Sequence, residues 1–450
     1  MKWLRVGAWI LVGAILLLTA APLFISLNDY VLLFEKEISA RLNEPVKISR
    51  LRAGGLPMPH VTVDGISIGK TGIVTAARIT ITPDLWSLVG SNKVIRSIRI
   101  DQLVLTDKAI QKIPSWARAV SSKAGPRAST VTVRVKSIQL DNAVVMLQKA
   151  PFGPFDGHLR LNDDNSLDLA TITTTDRKLR ALIKPERSHY RVDAKATGWK
   201  LPIRPALRFD ELVVNGIATG KGVRLDSVLG VLYGGTVAGQ ATLTWQNGFH
   251  LKGKARIDRV ELRSLLVAMG KRPSMSGKLN AEPFFYANAA RGSELHKALY
   301  LETEFDVQDG LLAGVDIGKA ATSVFRDKNP RAVTRFDEFS GHLVLENGTR
   351  RLTQLKIAAG SLSAAGRVTI SPEDELSGRI NTNIDSSKLA AASMPLSVSG
   401  TVDSPVLLPT AGVAAGAAVG TAILGPAGTA IGTAIGAKLD QLFGGGESSQ

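Results

Sequence analysis

The chain of 450 residues contains no cysteine. That absence excludes disulfide frameworks, Cys-ligated zinc, iron–sulfur clusters and thiol catalysis together. Aromatic residues are scarce, at 5%, so platforms on which nucleobases stack are few. Acidic residues are outnumbered: 39 Asp and Glu stand against 55 Lys and Arg, a formal charge of +16. Such a surplus points to anionic partners, either nucleic acid or lipid headgroups. Disorder throughout is excluded, because 44% hydrophobic residues with 43 Gly and 20 Pro are ordinary for a folded chain. A mean hydropathy of +0.10 is nevertheless high for a chain with 21% charged residues. The apolar surplus sits at the two ends.

Near the N-terminus, Lys2 and Arg5 precede an uncharged run of 22 residues from Val6 to Leu27. At ~1.5 Å per residue it reaches about 33 Å, enough for a bilayer core of roughly 30 Å. The basic residues lie on its short side, which predicts a single-pass inner-membrane anchor with a cytoplasmic N-terminus and the bulk of the chain in the periplasm. A cleaved signal peptide is the alternative, since Thr19, Ala20 and Ala21 are small enough for a cleavage site. Near the other end, no charge occurs from Ser404 to Ala437. There Gly412, Gly416 and Gly420, then Gly428, Gly432 and Gly436, recur every four residues. That spacing clears one helix face for close approach of another helix. Gly425-Pro426 interrupts it, so a hairpin of two short helices at a membrane is predicted, against a flexible Ala/Gly tail.

Between the ends the period is two. Val131, Val133 and Val135 alternate with Thr132, Arg134 and Lys136, and Ile79 and Ile81 alternate with Thr80 and Thr82, as in half-buried strands. Asp64-Gly65, Asp156-Gly157, Asn215-Gly216, Asn247-Gly248, Asp309-Gly310 and Asn347-Gly348 read as tight hairpin turns. Ser97 to Val104 (SIRIDQLV) recurs forty residues later as Ser137 to Val144 (SIQLDNAV), which suggests a sheet that grows by similar units. Helical stretches are few: a stripe of Phe34, Ile38 and Leu42, and short candidates at Glu261 to Met269 and Ile317 to Phe325. A long antiparallel sheet with one apolar face folds as a sandwich, closes as a barrel, or curls into a trough lined for something that is not protein. Membrane-seeking ends and few aromatics favour the trough.

Motifs for chemistry fail on inspection. His60, His158, His189, His250, His296 and His342 are scattered singly, without metal-ligand spacing. Gly65-Ile66-Ser67-Ile68-Gly69 matches GxSxG, but Ser67 continues a strand pattern, whereas a nucleophile elbow needs a strand-to-helix turn. Gly69-Lys70-Thr71 lacks the first glycine of a phosphate loop, because that place is Asp64. Asp163 and Asp164 read as a solvated turn rather than a cation site. Basic residues such as Arg96, Arg99, Arg134 and Lys136 are spread along polar strand faces instead of clustering with aromatics, which argues against nucleic acid. No enzyme activity, metal or cofactor is expected.

Several segments carry a family likeness: Arg41 to Ile48 (RLNEPVKI), Val61 to Ile66 (VTVDGI), Pro83 to Leu88 (PDLWSL) and Ile95 to Ile100 (IRSIRI). Further along are Leu232 to Gly235 (LYGG) followed by Gly239, Phe305 to Gly310 (FDVQDG), Phe336 to Phe339 (FDEF), Leu396 to Thr401 (LSVSGT) and Ser404-Pro405. With the anchor and the small-residue tail, they resemble the AsmA family of inner-membrane-anchored bacterial envelope proteins. Lys108 to Lys200 departs from the pattern. The resemblance implies a chorein-like N-terminal module opening into a hydrophobic β-groove that moves glycerophospholipid from the inner toward the outer membrane, without catalysis.

The predicted fold is therefore mainly β: an N-terminal transmembrane helix, a long curved antiparallel sheet forming a hydrophobic groove with a few short helices, and a C-terminal Ala/Gly-rich helical hairpin. The expected divisions are an anchor at 1–27, a chorein-like module at 28–110, central groove repeats at 111–300, an AsmA-like region at 301–410 and a glycine-spaced tail at 411–450. At about 13 residues per strand and turn the middle holds at most ~30 strands, on the order of 140 Å of sheet. Ile98, Ile100, Val131, Val133, Val135, Ile138 and Leu140 are the expected groove lining. Expected partners are phospholipid and the inner membrane, with the outer membrane and envelope proteins as candidates. The alternative function is an assembly factor that guides outer-membrane protein insertion by pairing strand edges with clients.

Overall fold

The computed structural model describes residues 27–55, 58–88, 93–106, 133–147, 150–201, 205–322, 332–386 and 389–410, with short pieces at 108–109, 112, 115–116, 412–413, 429 and 433–438. Residues 1–26 of the anchor predicted at 1–27 lie outside them, as do Val131 and most of the tail. Among the described residues no helix is long and apolar enough to cross a membrane. The architecture is mainly β, with 24 strands among the described residues and pairing that is antiparallel there except at three places. The chain divides into two compact units, residues 1–203 and 204–450, at a boundary the sequence reading did not mark.

The first unit holds helix α1 (Val31–Leu42) and strands β1 (Val46–Gly54), β2 (His60–Ile68), β3 (Val74–Pro83), β4 (Lys93–Asp101), β5 (Val104–Thr106), β6 (Val133–Val135) and β7 (Ser137–Leu147). Strands β8 (Ala150–Leu161), β9 (Leu167–Thr174), β10 (Leu179–Glu186) and β11 (His189–Lys200) complete it. Neighbours in sequence pair as hairpins, except that β4 lies parallel to β6 and β7, and β5 parallel to β7. The internal repeat explains the exception. Ile98 stands beside Ile138, Ile100 beside Leu140 and Val104 beside Val144, so the two copies lie side by side in register. Gln102 and Asn142, at matching places, both take left-handed backbone angles (φ 53° and 55°). The repeat therefore adds a strand in parallel rather than through a hairpin, which requires a crossover connection between the copies.

Helix α1 seals one margin of this unit. Leu27, Val31, Ile38 and Leu42 pack against Val46, Ile48, Leu51 and Val63, while Phe34 of the predicted stripe is 48% exposed. Among the described residues strand β1 pairs with β2 on one side and with no strand on the other. There its backbone N–H groups donate to helix-side acceptors: Val46 to Ser39 Oγ (2.9 Å), Ile48 to Glu35 Oε1 (2.6 Å) and Leu51 to Asn28 Oδ1 (3.0 Å). An edge strand left open invites pairing with another chain, and here side chains occupy its donors.

The second unit holds β12 (Arg208–Thr219), β13 (Gly222–Leu232), β14 (Gly235–Thr244), β15 (Phe249–Glu261), β16 (Met275–Ala281), β17 (Phe284–Ala289) and β18 (Tyr300–Ala313). It continues with β19 (Val333–Glu346), β20 (Thr349–Ala359), β21 (Leu362–Ile370), β22 (Leu376–Ser386), β23 (Leu389–Thr401) and β24 (Ser404–Pro409), plus helices α2 (Leu262–Ala268) and α3 (Ile317–Thr322). Both short helices fall where the sequence predicts them, and both cover sheet. Leu262 packs with Val307, Phe336, Phe339 and Leu355. Ile317, 1% exposed, packs on Ala364, Ile357, Leu362 and Leu407, and Ala320 packs on Ile380, Leu396 and Val398. Thr334 Oγ1 ties α3 down by accepting from Ile317 N (2.9 Å) and donating to Val315 O (3.0 Å).

Of the six Asx-Gly pairs predicted as turns, Asn347-Gly348 forms a two-residue hairpin with φ of 49° and 80°, and Asn247-Gly248 lies in the loop after β14. The other four are inside strands: Asp64-Gly65 in β2, Asp156-Gly157 in β8, Asn215-Gly216 in β12 and Asp309-Gly310 in β18. Their glycines serve close approach instead of reversal. A Cβ at Gly216 would stand 2.3 Å from the Arg224 carbonyl oxygen, and one at Gly310 would stand 2.2 Å from the Phe336 ring.

Candidate functional site

Cross-strand partners in a sheet share a face, so the register of the first unit can be followed strand by strand. One row runs Leu51, Val63, Ile79, Ile100, Leu140, Gly157, Ile172, Ala181, Ala194. A second, two residues along, runs Ala53, Val61, Ile81, Ile98, Ile138, Leu159, Ala170, Ile183, Val192. Both cross nine strands without a polar side chain. Eight steps of ~4.8 Å carry each row about 38 Å. Gly157 leaves room for Leu140 to lie over it, because a Cβ there would meet the Leu140 side chain at 3.0 Å.

Among the described residues α1 covers only the first strands of these rows, and Ala109 and Trp116 cover Ile68, Ile73, Val74, Leu103 and Leu105 beside them. Beyond them Ile98, Ile100, Ile138, Leu140, Leu159, Ile172, Ile183 and Val192 remain half-buried, and none of them joins a fully buried cluster among the described residues. The second unit differs, since α2 and α3 supply the cover there.

The opposite face of the first unit is mostly polar. Thr62, Thr80, Arg99, Gln139, His158 and Thr171 are lateral neighbours, although Thr62 is buried and the apolar Leu182 follows Thr171 in the same row. Arg99 donates to Gln139 Oε1 from Nε (3.2 Å) and Nη2 (3.1 Å), and lies 3.6 Å from Asp141. Asp64 sits between Arg52 and Arg78, whose Nε is 3.0 Å from Oδ1. Partial burial pushes its carboxyl up, but hydrogen bonds from Arg78 and Arg52 outweigh this and hold it below the ordinary carboxylate range. In the second unit, Arg350 and Lys271 lower Asp374 in the same way.

Of the expected lining, Ile98 and Ile138 are partners in one row, and Ile100 and Leu140 in the other. Val135 stands beside Ile95, and Val133, 47% exposed, stands beside Lys93 at the margin. Val131 is outside the described residues. The sequence reading missed Leu159, Ile172, Ile183 and Val192; Val192-Asp193-Ala194 alternates, but Leu182 breaks the alternation of Leu179 to Ile183. Of the tail glycines, Gly412 and Gly436 come together: a Cβ at Gly436 would stand 2.2 Å from the Gly412 carbonyl oxygen. Gly416, Gly420, Gly428 and Gly432 are outside the described residues.

Chemistry-bearing side chains do not converge. Ser67 lies in β2 between Lys47 and Thr75. Asp163 pairs with Arg134, and Asp164 accepts from Ser166 N (2.9 Å) and Oγ (2.6 Å) in a turn. His189 and His342 each meet one glutamate, Glu186 at 3.3 Å and Glu302 at 3.1 Å. Among the described residues no group of three His, Asp or Glu could hold a metal ion. The site is thus defined as an extended surface, apolar on one side and charged on the other. Comparison with protein-family models, curated proteins and solved structures returns no match.

Proposed function

We propose that the apolar face of the first unit receives the acyl chains of phospholipids, and that the protein, held in the inner membrane by residues 6–27, passes these lipids along a periplasmic β-groove toward the outer membrane. The observation that carries this reading is the pair of apolar rows, continuous over nine strands and, among the described residues, covered by α1 at one margin only. A bilayer leaflet is about half of the ~30 Å hydrocarbon core, or roughly 15 Å deep, so rows of about 38 Å offer more than two acyl lengths. Each methylene laid on such a face gains ~0.8 kcal/mol, and neighbouring positions are chemically alike, so a chain shifts along the row between near-equal energies while its headgroup stays wet. The resemblance to the AsmA family agrees with this assignment. Close contact of Gly412 with Gly436 fits a helical hairpin at the tail, which would meet a membrane. Client pairing at strand edges is the weaker reading, since the donors of β1 are occupied by Ser39, Glu35 and Asn28.

The test is the phospholipid content of the purified full chain. Ile100→Glu, Leu140→Glu and Ile172→Glu together place three carboxylates in one row; bound phospholipid is expected to fall several-fold. Thr80→Glu, on the opposite face, controls for added charge, and far-UV circular dichroism controls for folding. A folded triple variant with undiminished lipid sinks the proposal.

A further inference from the structure

We infer that the end of the first unit carrying Trp86 sits in the headgroup interface of a phospholipid bilayer. Strand β1 ends at Gly54 opposite His60, and β3 ends at Pro83 opposite Ile95. Met58, in the β1–β2 loop, and the 3-10 turn Leu85–Leu88 therefore share one end of the sheet. Arg96 Nη1 reaches Met58 Sδ at 3.4 Å across it. The 3-10 turn Leu27–Tyr30, which leads into α1, lies there too, because Asn28 accepts from Leu51 N. This end exposes large apolar side chains: Trp86 is 90% exposed, Leu32 76%, Leu33 63%, Tyr30 51%, Leu85 49% and Met58 46%. Single exposed apolar residues are ordinary, but six at one end, with Trp and Tyr among them, match the belt that amphipathic aromatics form at membrane surfaces.

Two further observations name the occupant. Arg96 and Lys136 both approach Asp84, at 4.0 Å and 3.3 Å, so two cations face one carboxylate and the rim is suited to anionic headgroups. The uncharged run from Val6 ends at Leu27, which packs against the α1 cluster at this same end. If that run crosses a membrane, as the proposed function holds, this end is delivered to the bilayer surface, and the inference rests on that part of the reading. It adds which loops touch lipid, and it places the start of the apolar rows next to the source of acyl chains.

The absence of cysteine makes the test direct. Trp86→Cys, Leu85→Cys and Leu33→Cys, with Lys70→Cys in the exposed turn at the opposite end, are labelled with an environment-sensitive fluorophore. The full chain is reconstituted in phosphatidylcholine vesicles with a minor fraction of phosphatidylglycerol and brominated acyl chains. Labels at 33, 85 and 86 are expected to be blue-shifted and several-fold quenched, and the label at 70 to read as water. Water-like emission at 85 and 86 overturns the inference, and so does shielding that bromine does not quench and that grows with protein density, which would mean a second copy. Flotation before and after an alkaline carbonate wash separates the two ideas. Quenched labels on protein that the wash removes leave the interface standing and sink the anchor; washed protein that floats with wet labels does the reverse.

Discussion

Asp64 illustrates how single residues keep the two faces of the first unit distinct. It lies on the wet side of β2, one position from Val63 in the apolar row, and two arginines from neighbouring strands hold its charge. Its carboxyl titrates below its unfolded value of about 3.9. The stabilisation is therefore complete above that value and lost as pH falls through the folded value. Asp64→Asn is expected to lower the urea midpoint at about pH 6, and the difference from the parent is expected to shrink as pH falls through the folded value and Asp64 takes up a proton. Since the arginines are about half exposed, the effect is small and shrinks with salt. A difference that persists unchanged at low pH would assign Asp64 a role other than charge pairing.

At the scale of elements, α1 combines two functions that its composition does not separate. Val31, Ile38 and Leu42 give it a sheet-facing stripe, and Glu35 and Ser39 on the same side address the backbone of β1. Replacing Asn28, Glu35 and Ser39 together by Ala leaves three donors at an edge, at about 1 kcal/mol each. The expected outcome is a lower unfolding midpoint and concentration-dependent self-association in sedimentation velocity; a monodisperse variant of parental stability would show that the edge needs no cap. The existence of this helix was legible from Phe34, Ile38 and Leu42, but its facing was not, because Phe34 turned outward. The turn dipeptides were similarly half legible. Asn347-Gly348 reverses the chain as its type predicts, whereas Gly216 and Gly310 are there for want of room beside Arg224 and Phe336. Local composition is identical in the two situations, and only the neighbouring strand tells them apart.

At the scale of the molecule, the two units treat their apolar faces differently. The second lays α2 and α3 over parts of its sheet, and Leu396 beneath is fully buried. The first leaves Ile98, Ile138, Leu159, Ile183 and Val192 half-buried. If those rows conduct, their continuity matters more than their area. A single Ile138→Glu, midway along its row, is expected to leave much of the bound phospholipid in place and yet to reduce transfer between donor and acceptor vesicles several-fold. Equal loss of binding and transfer would instead mean that the face is a static lipid site. The far half of the row, from Leu159 to Val192, was not singled out from sequence. Its apolar residues include the small Ala170, and their alignment with Ile98 exists only through register.

Alternation along each strand, the surplus of basic residues, the short helices and the forty-residue repeat were determined by the sequence itself. They follow from covalent geometry, in which side chains two apart share a face, and need no knowledge of distant segments. Tertiary structure decided the rest. It set the two repeat copies parallel, joined isolated pairs of isoleucines into rows about 38 Å long, and chose which apolar face would receive a protein cover. Those outcomes depend on contacts between residues far apart in the chain, such as Ile317 with Leu407 or Ile48 with Glu35, which no local period encodes.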